Sequence, residues 1–118
     1  MQAGTRTLLA KADRAAVAAA AALAAGAPDM AAARAFGAML NAAKAVLCER
    51  GLRLRTHARI AAALARVEAV SDPPVAQWLA DAMARRHGGA PEAMTFEEIG
   101  ELVARAAAFV AAARNSVG

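Results

Sequence analysis

The stretch ERGLRLRTHAR, which occupies residues 49–59, separates two helical patterns and carries four arginines beside one of the chain's two histidines. Gly51 is suited to end a helix, because glycine readily adopts the left-handed conformation of a C-cap. Thr56 can cap the next helix, which places His57 and Arg59 in its first turn. The free N–H groups and the dipole at that terminus favour anions such as phosphate. We therefore predict that any chemistry of this protein is centred here, the alternative being a solvated arginine surface between helices.

The composition of the chain predicts an all-α fold. Its 118 residues suit a single domain, 1–118, with one core. Apolar residues make up 59% of the sequence and aromatic residues only 3%, and alanine, the best helix former, supplies most of the excess. The net charge of +4 permits binding to RNA or another polyanion without demonstrating it.

The chain shows no pattern that indicates a metal, a cofactor or a membrane. Cys48 is the single cysteine and sits in a helical run, so we predict a buried apolar role and a cytoplasmic protein. No Cys or His pair has zinc-ligand spacing, and no glycine-rich phosphate loop occurs. The alanine-rich residues 15–28 are too few to cross a bilayer and lack the features of a signal peptide.

Apolar periodicity and helix stop signals predict five helices. The predicted helices span residues 5–25, 30–50, 56–70, 73–87 and 95–114. Asp29 and Asp72 are the expected N-caps of the second and fourth helices, and Thr95 with Glu98 forms a capping box for the last. Gly88–Pro91 is the expected loop before it. The second helix should bury one stripe, formed by Phe36, Leu40, Ala43 and Leu47.

Two further features of the helices remain open to more than one interpretation. Arg34, Asn41 and Cys48 are seven residues apart, with alanines between them. This stripe is either a polar contact line against a neighbouring helix or subunit, or an exposed face of small residues. Trp78, the lone tryptophan, is interpreted as a packing residue rather than a base-stacking one.

The second helix has the run DMAAARAFGAMLNAAKAVL at 29–47, and Arg50-Gly51-Leu52 and Arg55-Thr56-His57 follow it. These residues resemble the HEPN family (higher eukaryotes and prokaryotes nucleotide-binding). Members typically read Arg-Ala-Tyr-Tyr-Ala-Met-Phe, then an alanine-rich half-helix, a glycine turn and Thr-His. In this chain Phe36 and Gly37 replace the two tyrosines, and the resemblance extends over nearly the whole sequence.

The resemblance implies an antiparallel up-down bundle of four or five helices that forms a homodimer and, in many members, a metal-independent ribonuclease toxin. Such toxins are often paired with a nucleotidyltransferase antitoxin. The family motif is Arg, four to six residues and His, which Arg50 and His57 meet with six residues between them. By this resemblance His57 would be the general acid or base and Arg50 would stabilise charge on phosphorus, while Arg53 and Arg55, with Arg59, would hold the RNA backbone. Arg34 and Asn41 would support the site.

Three functions are therefore compatible with the sequence. The first is a toxin-type endoribonuclease that uses Arg50 and His57. The second is a non-catalytic HEPN module that binds a nucleotide or a nucleotidyltransferase partner, and the third is a plain helical dimerisation protein. Because the chain has no tyrosine, control by nucleotidylation of a tyrosine is excluded.

Overall fold

The computed structural model describes residues 1–67, 73–87 and 94–118, and within these ranges the regular structure is entirely helical. The all-α prediction is confirmed, and the helices pack as a compact bundle. The helices are α1 (Ala3–Ala24), α2 (Pro28–Glu49), α3 (His57–Ala65), α4 (Val75–His87) and α5 (Phe96–Val117).

Helix α2 is central to the bundle, because it contacts each of the other four helices. Helices α1 and α2 are antiparallel, since Glu49 at the end of α2 meets Gln2 at the start of α1. Helix α5 is antiparallel to α1, because Arg114 near its end pairs with Asp13 at 3.6 Å, while Gly100 near its start lies against Leu23 at the end of α1. Helix α5 therefore runs in the same direction as α2.

Alanines form the contact between α1 and α2. One face of α2 presents four buried alanines, successive members of which are seven, four and three residues apart. This face continues for one more helical turn after the last alanine, to Glu49. A face of α1 has the same spacing and is also buried. Small side chains let two helix axes approach at the short end of the usual range of about 8–10 Å. The buried residues of these faces are Ala31, Ala38, Ala42 and Ala45 in α2, and Thr5, Ala12, Ala16 and Ala19 in α1.

The predicted start of α2 is wrong by two residues and the predicted end by one, while the predicted role of Gly51 in ending the helix is confirmed. The N-cap is Ala27 rather than Asp29, because Pro28 fits the first helical position, where a missing N–H costs nothing. Asp29 lies in the first turn, where its charge favours the helix dipole. At the other end Gly51 adopts a φ of 81°, and the Leu52 N–H donates to the Leu47 carbonyl at 2.9 Å. This is the Schellman geometry, which satisfies the last carbonyls of α2.

The other predicted helix ends have mixed outcomes. Thr56 accepts from the Arg59 N–H, and Thr95 forms a full capping box with Glu98, both as predicted. Helix α3 ends at Ala65, earlier than the predicted residue 70. Helix α4 begins at Val75 rather than at Pro73, because Pro74 disfavours helical geometry at Pro73, the residue before it. The predicted Asp72 cap and the Gly88–Pro91 loop lie outside the described residues.

The predicted core stripe of α2 is confirmed, since all four of its residues are buried. Cys48 is buried and has a free thiol, as predicted. At the start of α5, Phe96 continues the apolar repeat of that helix but is 60% exposed. Ile99 and Val103, the next members of that repeat, are both buried.

Candidate functional site

The stretch between α2 and α3 has alternating exposure. Arg53 and Arg55 are exposed, while Leu54 between them is half-buried against the core. Alternation of this kind is typical of an extended segment whose successive side chains point in opposite directions. The two predicted RNA-binding arginines are therefore accessible to solvent, and Arg59, also exposed, lies in the first turn of α3.

His57 is half-buried at the start of α3 and packs against α2. Its imidazole meets the ring of Phe36 edge-on, with 5.7 Å between ring centroids and 70° between planes. Edge-to-face contacts of this kind are favourable for aromatic pairs. The contact holds the imidazole against the first half of α2 and limits its orientations.

Arg50 and His57 lie at different levels along α2. Arg50 is the exposed C-cap of α2, fourteen residues after Phe36. At a rise of about 1.5 Å per residue, the backbones of these two positions are about 21 Å apart along the helix axis. The His57 imidazole contacts the Phe36 ring, in the first half of α2.

A cavity of about 500 Å³ lies between the start of α1, the second half of α2 and the segment before α3. Lys44, Arg53 and Arg55 line it, and no carboxylate does. Each of these three side chains lacks an ion-pair partner among the described residues. Lys44 is absent from the sequence-based site. Its position in the sequence, four residues before Cys48, does not reveal which residues of another segment lie opposite Lys44.

Glu49, the one carboxylate of the stretch 49–59, has a structural role. Its Oε1 accepts from the Gln2 backbone N–H at 3.0 Å and from the Thr5 hydroxyl at 2.9 Å. It thereby caps α1, whose own N-cap side chain makes no capping bond. These two hydrogen bonds hold the pKa of the Glu49 carboxyl below its ordinary value of 4.5. The carboxylate therefore does not neutralise the neighbouring arginines.

Replacement of Glu49 with glutamine is expected to destabilise the protein in a pH-dependent way. A carboxyl group whose pKa is lower in the folded than in the unfolded protein stabilises the fold at pH values above its unfolded pKa. This stabilisation is lost as the pH falls through its folded pKa. The free energy of unfolding of Glu49→Gln should therefore be lower than that of the unsubstituted protein at pH 7, and the difference should shrink below about pH 4. Urea unfolding of the variant and of the unsubstituted protein at pH 7 and below about pH 4 measures this change. An equal difference in the free energy of unfolding under the two conditions would contradict the prediction. Glu97→Gln, at an exposed position of α5, is the control.

The stripe of Arg34, Asn41 and Cys48 is not uniformly exposed. Arg34 is exposed, Asn41 is half-buried and Cys48 is buried. The intervening Ala38 and Ala45 are completely buried. The stripe therefore follows a contact with a neighbouring helix of the same chain over part of its length, and Arg34 and Asn41 lie away from the cavity beside Arg53.

A second cavity, of about 220 Å³, lies between α2, α4 and α5. Trp78 and Phe36 contribute aromatic walls, and the Arg105 guanidinium lies 5.5 Å from the Trp78 ring centroid. The interpretation of Trp78 as a packing residue agrees with this position. Arg105 also pairs with Glu101 at 2.8 Å, and Arg85 pairs with Glu98. The charges at this rim are therefore largely compensated.

The described residues contain no group of three or more His, Cys, Asp or Glu side chains that could hold a metal ion. Over the same residues, no helix has both the length and the apolar character needed to cross a bilayer. No protein-family model matches the chain, and no curated protein is similar enough to it to count as a relative.

Proposed function

We propose that the protein is a HEPN-type, metal-independent endoribonuclease that acts as a homodimer. The observation that supports this most directly is the half-buried His57 at the start of α3, flanked by the exposed Arg53, Arg55 and Arg59. Histidine is the commonest general acid or base in enzymes, and exposed arginines bind the phosphates of nucleic acid. The family resemblance supplies the reaction, and these three arginines lie within four residues of the histidine in the sequence.

In the proposed reaction His57 removes the proton from a ribose 2′-hydroxyl. The 2′-oxygen then forms a bond to the adjacent phosphorus, the bond from phosphorus to the 5′-oxygen breaks, and a proton is delivered to that leaving oxygen. The products are a 2′,3′-cyclic phosphate and a 5′-hydroxyl. Arg53 and Arg55 hold the backbone, and an arginine beside the phosphorus stabilises its developing negative charge.

In the proposed homodimer, the arginine beside the phosphorus comes from the second copy. Arg50 is at the end of α2, whereas His57 lies beside Phe36, about 21 Å earlier along the axis of that helix. A two-fold axis places the same surface of both copies in contact. We assign Arg50 of one copy and His57 of the other to a common site.

Cleavage of RNA in EDTA tests this function. A fluorescent single-stranded RNA is incubated with the protein in EDTA, beside the same sequence with 2′-O-methyl groups. The first should yield fragments that end in a 2′,3′-cyclic phosphate, and the second should stay intact because its 2′-oxygen has no proton to lose. Cleavage of both, or of neither, would contradict the proposal.

A second candidate is a non-catalytic HEPN module that binds a nucleotide or a nucleotidyltransferase. The distance between Arg50 and His57 within the chain favours it, since binding needs only the cations near Arg53 and Arg55. Calorimetric binding of nucleotides together with intact RNA in the EDTA assay would support this candidate. If the protein neither binds nucleotides nor cleaves RNA, the remaining candidate is a plain helical dimerisation protein.

A further inference from the structure

We infer that the cavity between α2, α4 and α5 is a binding site for a small aromatic amine, and that Phe36 transmits its occupation to His57. The ligand class is one aromatic ring joined by a short chain to an ammonium group. The inference goes beyond the proposed function, because none of the residues assigned to RNA lines this cavity. Neither the binding nor its effect on the imidazole requires that RNA is cleaved.

The size and the apolar walls of the cavity suit a single aromatic ring. Phe36 of α2 and Trp78 of α4 form two aromatic walls. An apolar cavity of about 150 Å³ is large enough to bind benzene. The volume of about 220 Å³ therefore holds one ring and a short chain, and it is below the range of roughly 300–1,000 Å³ found for sites of drug-sized ligands. The other apolar lining residues are Ala32, Ala82, Met94 and Leu102.

The charged side chains of the lining favour a cation. Among the described residues, three carboxylates line the cavity against two guanidinium groups: Asp81, Glu98 and Glu101 against Arg85 and Arg105. Arg85 pairs with Glu98, and Arg105 pairs with Glu101 at 2.8 Å. Asp81 has only the longer contact with Arg105, at 3.8 Å. The lining therefore has one carboxylate whose charge is weakly compensated, and an ammonium group would complete the pairing.

Asp81 is close to the aromatic wall of the cavity. It follows Trp78 by three residues in α4, and residues at this spacing are neighbours on one face of a helix. The Trp78 ring already has a guanidinium 5.5 Å from its centroid, which is favourable because the face of an aromatic ring attracts cations. A ligand whose ring lies beside Trp78 would thus have a carboxylate within reach of its ammonium group.

Phe36 connects this cavity to His57. Its ring lines the cavity and also meets the imidazole edge-on, with 5.7 Å between the ring centroids. Phe36 is buried in a close-packed core, so a ligand that moves or restrains its ring also acts on the imidazole that it contacts. Occupation of the cavity is therefore expected to change the surroundings of His57.

Fluorescence of Trp78 and NMR signals of His57 test the inference. Trp78 is the lone tryptophan, so its emission reports on the cavity wall. The probes are 2-phenylethylamine, which is protonated at pH 7, and 2-phenylethanol, which has the same shape without the charge. Both should change the emission in a saturable way, and the amine should bind about two- to fivefold more tightly at low salt, the usual contribution of an exposed ion pair. The His57 imidazole signals, assigned with His57→Ala, should shift with the same saturation curve.

Two variants with matched controls locate the binding. Ala32→Leu fills the cavity and should weaken both probes at least tenfold, whereas Ala33→Leu, at the exposed neighbouring position, should bind them as the unsubstituted protein does. Asp81→Asn should abolish the advantage of the amine over the alcohol. Asp13→Asn should retain it, although Asp13 is likewise an exposed carboxylate that pairs with an arginine of α5, at 3.6 Å.

Four results would overturn the inference. They are the absence of saturable binding, equal affinity for the two probes, an equal effect of a variant and its matched control, and His57 signals that stay unshifted when the amine saturates the Trp78 emission. None of these results depends on whether the protein cleaves RNA.

Discussion

Replacement of His57 with alanine is expected to lower the rate of RNA cleavage by about 10²–10⁴-fold, the usual contribution of a general acid or base. The imidazole is half-buried and is held edge-on against Phe36, which fixes its position for the transfer of a proton. Initial rates on a fluorescent single-stranded RNA in EDTA measure the effect. Thermal unfolding of His57→Ala checks that the fold is intact.

The spacing of Arg50 and His57 gives the same experiment a sharper form. Arg50→Ala and His57→Ala proteins should each be nearly inactive alone, while a mixture should regain activity. Half of the dimers in an equal mixture contain one copy of each variant, and one of their two sites is complete, so the expected rate is about a quarter of the unsubstituted rate. Restoration requires that the copies exchange, which brief incubation at raised temperature promotes. No restoration with exchanged subunits would exclude the shared site.

The helices were predictable because their signals are local. The Schellman turn at Gly51 and the capping box at Thr95 depend on residues within a few positions of each other, so the sequence states them directly. Asp29 was assigned as an N-cap because the pattern does not distinguish the cap from the first turn when a proline precedes it. Helix boundaries of this kind depend on one hydrogen bond, so the predicted and observed ends often differ by two residues.

The site was less predictable because it depends on which segments lie side by side. The spacing of Arg50 and His57 in sequence matches a catalytic motif, yet a Schellman turn between them lets the chain leave α2 and return along it to Phe36. Arg50 and His57 are therefore seven residues apart in the sequence but lie at different levels along the axis of α2. Lys44 was missed for the same reason, since its proximity to Arg53 arises only when that return is built.

Replacement of Ala42 with leucine is expected to lower the free energy of unfolding by about 1–3 kcal/mol, because it adds three carbons to a fully packed contact. Ala42 is completely buried on the alanine face of α2, where the contact with α1 depends on small side chains. Leucine must either adopt an unfavourable rotamer or force the two helices apart, and separation would also pull Glu49 from its hydrogen bonds at Gln2 and Thr5.

Ala33→Leu is the matched control, since Ala33 is exposed on the opposite side of the same helix and the change should stay within about 0.5 kcal/mol. Urea unfolding of the two variants at pH 7 gives the comparison, and similar midpoints would mean that alanine at position 42 is not needed for close approach. The distinction matters because the high alanine content could otherwise be attributed to helix propensity alone. Propensity differs little between alanine and leucine, so it predicts nearly equal effects at the two positions, whereas close packing of α1 on α2 predicts a loss at Ala42 only.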